Sequence, residues 1–344
     1  MAYTTIKKPS EYFNTNLYTG NGGTQSFTEI GFQPDWVWIK NRSGTEDHMI
    51  YDAVRGVTKD IRANQTNAES TNANSLTAFE TDGYSIGSSG NINNNGSNFV
   101  GWNWKANGAG SSNTDGSITS TVSANTTSGF SIVSYTGTGA NATVGHGLGV
   151  APNMIIVKPY SVSQYWSVFH SSVGNTYYGY LNTTDAFSNS PSTAWNSTIN
   201  NTVFGIGSGV ATNVNSASHI AYCFAEVKGF SKFGSYVGNG NADGSFIYLG
   251  FKPAFVMIKN TSSTGTWMIK DTKRDLFNVA NTALGASNPA PEVDYSSSLN
   301  EIDILSNGFK LRDTYSDQNT SGNNYIYMAF AEEPLVGDNP ATAR

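Results

Sequence analysis

Apolar and polar residues alternate in many short segments of this chain. Residues 130–135 and 325–330 are the clearest examples, with an aromatic or β-branched side chain at nearly every second position. This period of two predicts β-strands that rest one face on a core. A capped helical period does not appear over any stretch of a dozen residues, and residues 57–60, within 46–63, are the best candidate for a short helical turn. The pattern therefore predicts an all-β protein.

The strand-like segments recur three times in the same order. A Tyr-x-Gly-x-Gly segment occupies residues 18–22, 135–139 and 236–240. Each copy then reaches a Gly-x-x-Pro corner and an apolar run that ends in lysine, at residues 31–40, 149–158 and 250–259. An aromatic-rich segment closes the copies at residues 98–105, 219–226 and 325–332. A period near 100 residues is too long for a solenoid unit and indicates tandem domains or one larger domain built by duplication.

We therefore expect tandem antiparallel β-sandwich modules of jelly-roll or concanavalin-like type, one from each of the three internal repeats. Their predicted bounds are residues 1–110, 111–232 and 233–344. Residues 106–129 are rich in Gly, Ser, Asn and Thr and predict a linker between the first two modules. Because no such spacer separates repeats two and three, these two are predicted to pack as one unit. The tail beyond Pro334 is expected to be extended.

The Gly-x-x-Pro corner is predicted to turn the chain into a central strand of each repeat, since proline is tolerated where a strand begins. The apolar runs after the corner then belong to the core. The residues predicted to be buried on equivalent strands are Trp36, Ile39, Ile156, Val256 and Ile258.

Composition narrows the function classes. Charged residues make up 13% of the chain, aromatic residues 12%, and the net charge is −6. Disordered chains lack this density of aromatics, and nucleic-acid binding requires a basic surface. With no run of 18 apolar residues we expect no membrane insertion. The first nine residues lack an apolar segment, so no secretory signal is expected, and a lone cysteine, Cys223, excludes a disulfide framework.

Candidate catalytic groups are scattered. The four histidines lack metal-ligand spacing, and His170 aligns with Asp52 and Asp271, where a turn or edge position is expected. Residues 52–55 and 271–274 share the form Asp-x-x-Arg, which we interpret as a turn-stabilising surface ion pair, with a charged binding pocket repeated twice as the alternative. Residues 239–244 resemble the start of a calcium loop but lack its final glutamate, so a hairpin loop is the preferred interpretation. We expect no catalytic residue, cofactor or metal.

Six of the seven tryptophans lie in repeated motifs, which favours core packing. Trp195 lies outside any repeated motif, in a polar segment, and is predicted to be an exposed aromatic contact. The candidate binding residues are Trp195, Tyr180 and Asn182.

Residues 31–42, 221–236 and 325–332 resemble a domain family of virion proteins from marine tailed bacteriophages, including phages of cyanobacteria, that is described as tail-fibre-like. The likeness covers nearly the whole chain. It implies a place in a virus particle assembled in the bacterial cytoplasm, with other virion proteins as partners and no catalytic residues.

The expected function is therefore a tail-fibre-like or receptor-binding component of a phage particle, which binds host surface glycan through its loops. A capsid decoration or head-fibre protein with a purely structural role is the alternative, and a polysaccharide-degrading enzyme is a distant third. We expect a homo-oligomer, with a trimer among the candidate states, and no nucleic-acid partner.

Overall fold

A computed structural model describes residues 4–294 and 300–334. The protein is nearly all β, with 45% strand and 3% helix, in several separate antiparallel sheets. The prediction of an all-β fold with sandwich modules is confirmed, while the predicted tail beyond Pro334 lies outside the described residues.

Repeat one follows a short 3-10 helix, Pro9–Glu11. Its elements are β1 (Phe13–Thr19), β2 (Gln25–Phe27), β3 (Trp36–Asn41), β4 (Met49–Asp52), β5 (Lys59–Arg62), β6 (Ser70–Thr71), β7 (Leu76–Glu80), β8 (Gly83–Ile86), α1 (Gly90–Asn93) and β9 (Asn98–Trp104). A six-stranded sheet has the order β1-β9-β3-β4-β5-β6, and a three-stranded sheet has the order β2-β8-β7.

Repeat two adds two strands before the same set. Its elements are β10 (Ser111–Asn113), β11 (Ser120–Asn125), β12 (Phe130–Thr136), β13 (Ala142–Gly145), β14 (Met154–Pro159), β15 (Ser167–His170), β16 (Tyr177–Tyr180), β17 (Ser188–Asn189), β18 (Trp195–Ile199), β19 (Val203–Ile206), α2 (Val210–Asn213) and β20 (Ser218–Phe224). The large sheet has the order β10-β11-β12-β20-β14-β15-β16-β17, and the small sheet has the order β13-β19-β18.

Repeat three has the same plan without the short helix. Its elements are β21 (Ser231–Val237), β22 (Phe246–Tyr248), β23 (Phe251–Asn260), β24 (Met268–Asp271), β25 (Thr282–Gly285), β26 (Val293–Asp294), β27 (Ile302–Leu305), β28 (Gly308–Leu311) and β29 (Asn324–Pro334). The sheet orders β21-β29-β23-β24-β25-β26 and β22-β28-β27 reproduce those of repeat one. The three repeats are therefore copies of one sandwich, although the predicted module bounds stay a prediction.

The central strands β3, β14 and β23 are buried on both faces. In β3, Trp36 and Trp38 belong to one core, and Val37 and Ile39 belong to another beneath the small sheet. This alternation follows from the strand period, which sends successive side chains to opposite faces. The predicted core residues are all confirmed as buried: Trp36, Ile39, Ile156, Val256 and Ile258.

The inner faces of the three large sheets share one aromatic core. Trp36 of repeat one lies 4.6 Å from Tyr222 of repeat two, measured between ring centroids. Phe13 of repeat one stacks on Phe330 of repeat three at 5.2 Å, and Phe224 of repeat two lies 6.0 Å from the same ring. Repeats two and three were predicted to pack as one unit, and repeat one also belongs to this core. Each large sheet carries an aromatic inner face that needs the other two sheets to exclude water.

Two local predictions also need correction. Residues 57–60 form no helical turn, because Gly56 and Thr58 adopt positive φ of 87° and 65°, and Lys59 then enters strand β5. Residues 106–129 are not a linker, because β10 and β11 extend the large sheet of repeat two. Val122 packs in the core of that repeat, which gives β11 an apolar face.

The predicted corner is confirmed in all three repeats. Gly31, Gly149 and Gly250 have φ of 95°, 74° and 83°, values at which a side chain would be strained. In repeat three the strand register shifts at Pro253, as expected where a proline interrupts a ladder.

Candidate functional site: repeat junctions and a tyrosine cluster

The polar groups that best resemble chemical machinery lie at the junctions between repeats. In repeat one, Asp52 ends β4 and its Oδ2 accepts a hydrogen bond of 2.8 Å from the Tyr222 hydroxyl of repeat two. In repeat three, Asp271 ends β24 and its Oδ2 accepts a bond of 3.0 Å from Nε1 of Trp102 in repeat one. Each carboxylate thus contacts the closing strand of the next repeat in cyclic order.

His170 takes the same position in repeat two. Its Nε2 lies 3.2 Å from the Tyr327 carbonyl oxygen of repeat three, and its Nδ1 accepts a hydrogen bond from the Ser172 amide. His170 is the buried last residue of β15, and the turn begins after it. Burial lowers the pKa of His170 from 6.5 to about 4, although the Tyr327 carbonyl acts in the opposite direction. The ring of contacts therefore closes through three homologous strand ends.

The two Asp-x-x-Arg segments form ion pairs, but these are buried, and the prediction of surface pairs is wrong. Arg274 Nε lies 2.5 Å from Asp271, and its Nη1 lies 3.0 Å from Glu292. Burial opposes the charge of Arg274, but the Asp271 and Glu292 carboxylates outweigh it and raise its pKa. In repeat one, Arg55 contacts Asp52 at 2.6 Å and Glu69 at 2.9 Å. These carboxylates are engaged in holding the junctions.

Three equivalent lysines lie next to last in the central strands and donate to backbone carbonyls of a neighbouring repeat. Lys40 reaches Pro289 O at 3.0 Å, Lys158 reaches Thr66 O at 2.7 Å and Lys259 reaches Thr184 O at 2.8 Å. Burial lowers their pKa values to about 8, 7 and 8. A lysine with such a pKa can act as a base, but here each ammonium links two repeats.

A buried asparagine organises each glycine-rich loop. Asn319 Oδ1 accepts from the Asn239 amide at 2.9 Å, and its Nδ2 donates to Asn241 O at 2.9 Å. Asn93 and Asn213 make corresponding bonds in repeats one and two. Residues 239–244 are thus a loop held by a side-chain amide, and among the described residues no group of three His, Cys, Asp or Glu side chains could hold a metal ion.

A partly exposed tyrosine cluster lies on repeat two. Tyr165 and Tyr180 stack with ring centroids 4.6 Å apart, and Tyr178 meets Tyr180 edge-on at 5.3 Å. The three rings border a cavity of about 160 Å³ that Val210 also lines. Tyr165 is 42% exposed. Burial and the neighbouring Tyr178 raise the pKa of Tyr180 to about 12.

The three predicted binding residues lie in different environments. Tyr180 belongs to the tyrosine cluster. Trp195 is buried, and the prediction that it is exposed is wrong: it starts β18 and fills the space between the two sheets of repeat two, where Phe169 lies 5.8 Å away. Asn182 Oδ1 accepts from the Trp166 amide at 2.9 Å, which fixes the loop after β16.

Sequence reasoning missed Tyr165 and Tyr178. Their signal was the alternation of tyrosines at positions 178 and 180, which places both rings on one face of β16. Tyr165 reaches the same face from the segment before β15. Its position could not be predicted without the fold.

Comparison with known proteins identifies the family. The model of DUF7483, a domain of unknown function, matches residues 8–334. The chain belongs to the DUF7483 family. No curated protein and no solved structure matches it.

Repeat three of this DUF7483 chain exposes an apolar loop. Leu276 and Phe277 are 63% and 78% exposed, and Val279 follows them. Exposed apolar groups that are adjacent in this way are typical of surfaces that contact another protein. Within residues 4–294 and 300–334, no helix has the length and apolar character needed to cross a membrane.

Proposed function

We propose that this DUF7483 chain is a structural protein of a tailed-bacteriophage particle, and that it serves as a tail-fibre-like or receptor-binding component. It binds neutral glycan on the host surface and performs no chemistry on it. The observation that carries this proposal is the stacked pair of the exposed Tyr165 and the half-buried Tyr180 near the edge of a sheet.

Aromatic rings exposed beside hydroxyl groups suit sugars, because a pyranose presents apolar C–H faces and polar edges. The cluster presents its rings from a strand and an adjoining loop, so little conformational entropy is lost on binding. All seven tryptophans are buried, so Tyr165 is among the few large aromatic rings that the described residues expose.

The carboxylates at the junctions form ion pairs with arginines, which favours a binding role over glycan cleavage. Glycoside hydrolysis uses a pair of carboxyl groups that face the scissile bond. Asp52, Asp271 and Glu292 are instead held by buried arginines.

The resemblance to virion proteins supports a place on the particle, and the exposed residues 276–279 provide a surface for attachment to another virion protein. We favour the tail over capsid decoration because a glycan-binding surface is needed where the particle meets its host. A purely structural decoration protein has no use for the tyrosine cluster.

Two measurements test the proposal. Mass spectrometry and a density map of purified particles should find the chain at the tail. The purified full chain should be retained on host cells, and the Tyr165→Ala/Tyr180→Ala variant should lose that retention at least tenfold. Tyr248→Ala in repeat three is the matched control, because Tyr248 is also half exposed. Absence of the chain from particles would overturn the virion role, and density on the icosahedral shell would overturn the tail position.

A further inference from the structure

The three repeat junctions are homologous, which allows their residues to be compared position by position. A backbone hydrogen bond marks one equivalent position in each: Glu69 N to Tyr160 O at 2.7 Å, Phe187 N to Thr261 O at 3.1 Å, and Glu292 N to Arg42 O at 2.9 Å. Phe187 therefore takes the place of the two glutamates.

The arginine of each ion pair is also replaced in repeat two. Arg55 and Arg274 stand three residues after Asp52 and Asp271, and Val173 stands three residues after His170. At two junctions an arginine and a glutamate occupy the space between repeats. At the junction of repeats two and three, both charged partners are missing and smaller or apolar groups stand in their places.

A cleft of about 380 Å³ lies at this junction, and Val173 and Phe187 line it. The volume falls in the range of small-molecule sites. Its other lining side chains include Ser172 and Tyr177 from repeat two, and Ser235, Thr261, Ser262 and Asn324 from repeat three. The cleft thus exists where the replaced ion pair would otherwise lie.

The cleft is neutral and rich in hydroxyl groups, and its lining contains no Asp, Glu, Lys or Arg. Ser262 Oγ accepts hydrogen bonds from Asn324 N at 2.9 Å and from Asn324 Nδ2 at 3.2 Å. Both bonds use Ser262 as an acceptor, which leaves its own O–H to donate outward. Phe187 and Tyr177 supply aromatic surface on the repeat-two side.

We propose that this cleft between repeats two and three binds a neutral saccharide, with Ser262 and Asn324 at the polar edge and Phe187 and Tyr177 against the apolar face. The inference rests on the proposed glycan-binding function and assigns it a second site. Tyr177 precedes Tyr178 on β16, and the strand alternation points these rings to opposite faces. The cleft and the tyrosine cluster therefore lie on opposite faces of one strand.

The test uses the purified full chain and saturation-transfer difference NMR with a panel of neutral saccharides: maltotriose, cellotriose, lactose and chitotriose. The changes are made in the Tyr165→Ala/Tyr180→Ala background, so that the transfer signal reports the cleft alone. Val173→Arg/Phe187→Glu introduces the pair found at the other junctions and should reduce this signal at least tenfold. Ser262→Ala, an exposed change, should weaken binding about threefold to tenfold, the scale of a lost neutral hydrogen bond. Thermal unfolding establishes that each variant is folded.

Ser161→Ala is the matched control. Ser161 takes the place of Ser262 at the junction of repeats one and two, and its Oγ accepts from Ser218 N at 2.9 Å. This change should leave binding unaltered. Loss of all binding in the folded Tyr165→Ala/Tyr180→Ala background, or binding there that survives both Val173→Arg/Phe187→Glu and Ser262→Ala, would overturn the cleft site and leave the proposed function standing. Absence of binding by the unaltered chain to every saccharide of the panel would overturn the cleft site, whereas the virion role is decided separately by the particle composition.

Discussion

The hydroxyl of Tyr222 in repeat two donates a hydrogen bond to the Asp52 carboxylate of repeat one, across 170 positions of sequence and 2.8 Å of space. The same strand end in repeat three, Asp271, receives the indole of Trp102 from repeat one. Equivalent contacts therefore join the three sandwiches of one chain in a ring. Three separate single-repeat chains would have to form a trimer to make the same contacts. Because the copies are covalently joined, each junction has been free to acquire different side chains.

Removal of the Tyr222 hydroxyl should destabilise the whole protein. Tyr222→Phe deletes a buried hydrogen bond to a charged acceptor, and we expect the free energy of unfolding to fall by about 1.5–3 kcal/mol. Urea denaturation followed by tryptophan fluorescence measures the change. Tyr248→Phe is the control, since Tyr248 is half exposed and its hydroxyl should contribute less than about 0.5 kcal/mol. Equal changes in the free energy of unfolding for the two variants would show that the junction hydrogen bond does not stabilise the fold.

The shared aromatic core predicts that the three repeats unfold together. Trp36, Trp104 and Phe330 contact rings from other repeats, so an isolated repeat would expose them to water. Differential scanning calorimetry should show one transition whose calorimetric and van't Hoff enthalpies agree. A fragment of residues 1–110 alone should lack cooperative unfolding. Three resolved transitions, or a folded fragment, would contradict the single core.

The repeats, the strands and the buried positions could be predicted from sequence because they depend on local alternation. Trp36 and Ile39 sit in an apolar run whose burial on both faces follows from its composition. Joint packing of all three repeats could not be predicted, because it depends on which faces meet. The prediction of a linker at residues 106–129 was wrong for a similar reason. A Gly- and Ser-rich composition is typical of linkers, but a few apolar side chains such as Val122 are enough to place β11 in a sheet.

The candidate site depended even more on tertiary structure. Trp195 lies in a polar segment, and only the position of the small sheet shows that its ring is enclosed. The difference between Val173 and the arginines was visible in the sequence. The cleft that results from it could not be predicted, because the equivalence of Phe187 with Glu69 is visible only in the backbone hydrogen bonds of the folded chain. The buried asparagines had a sequence signal too, since one precedes each closing strand.

Asn213 should be needed for the loop that follows β12. Its Oδ1 accepts from Thr138 N at 2.6 Å, and its Nδ2 donates to Gly207 O at 2.8 Å. Asn213→Ala leaves the buried Gly207 carbonyl and the part-buried Thr138 amide without these bonds, so we expect a loss of about 1–3 kcal/mol and faster proteolysis near residue 138. Asn215→Ala, two positions along and exposed, should change stability by less than about 0.5 kcal/mol. A small effect of the Asn213 change would show that water replaces its bonds.

Acid should weaken the fold through His170. Its pKa falls from 6.5 to about 4 on folding, chiefly because burial disfavours the imidazolium. Between these values the unfolded chain binds a proton that the folded chain does not, so stability decreases as the pH falls from 6.5 towards 4. The full difference amounts to about 3 kcal/mol, at 1.36 kcal/mol for each pKa unit. Above pH 7.5 both states are neutral at this residue and its contribution is independent of pH.

His170→Gln removes this titration and keeps a side chain that can donate to the Tyr327 carbonyl. We expect the free energy of unfolding of the variant to fall less steeply than that of the unaltered chain between pH 6.5 and 4.5, while the two curves run parallel between pH 7.5 and 8.5. Urea denaturation at each pH measures both slopes, and the remaining histidines and carboxylates contribute equally to the two proteins. Parallel curves across the acidic range as well would mean that His170 is protonated in the folded protein, with the Tyr327 carbonyl as the acceptor for its charged ring.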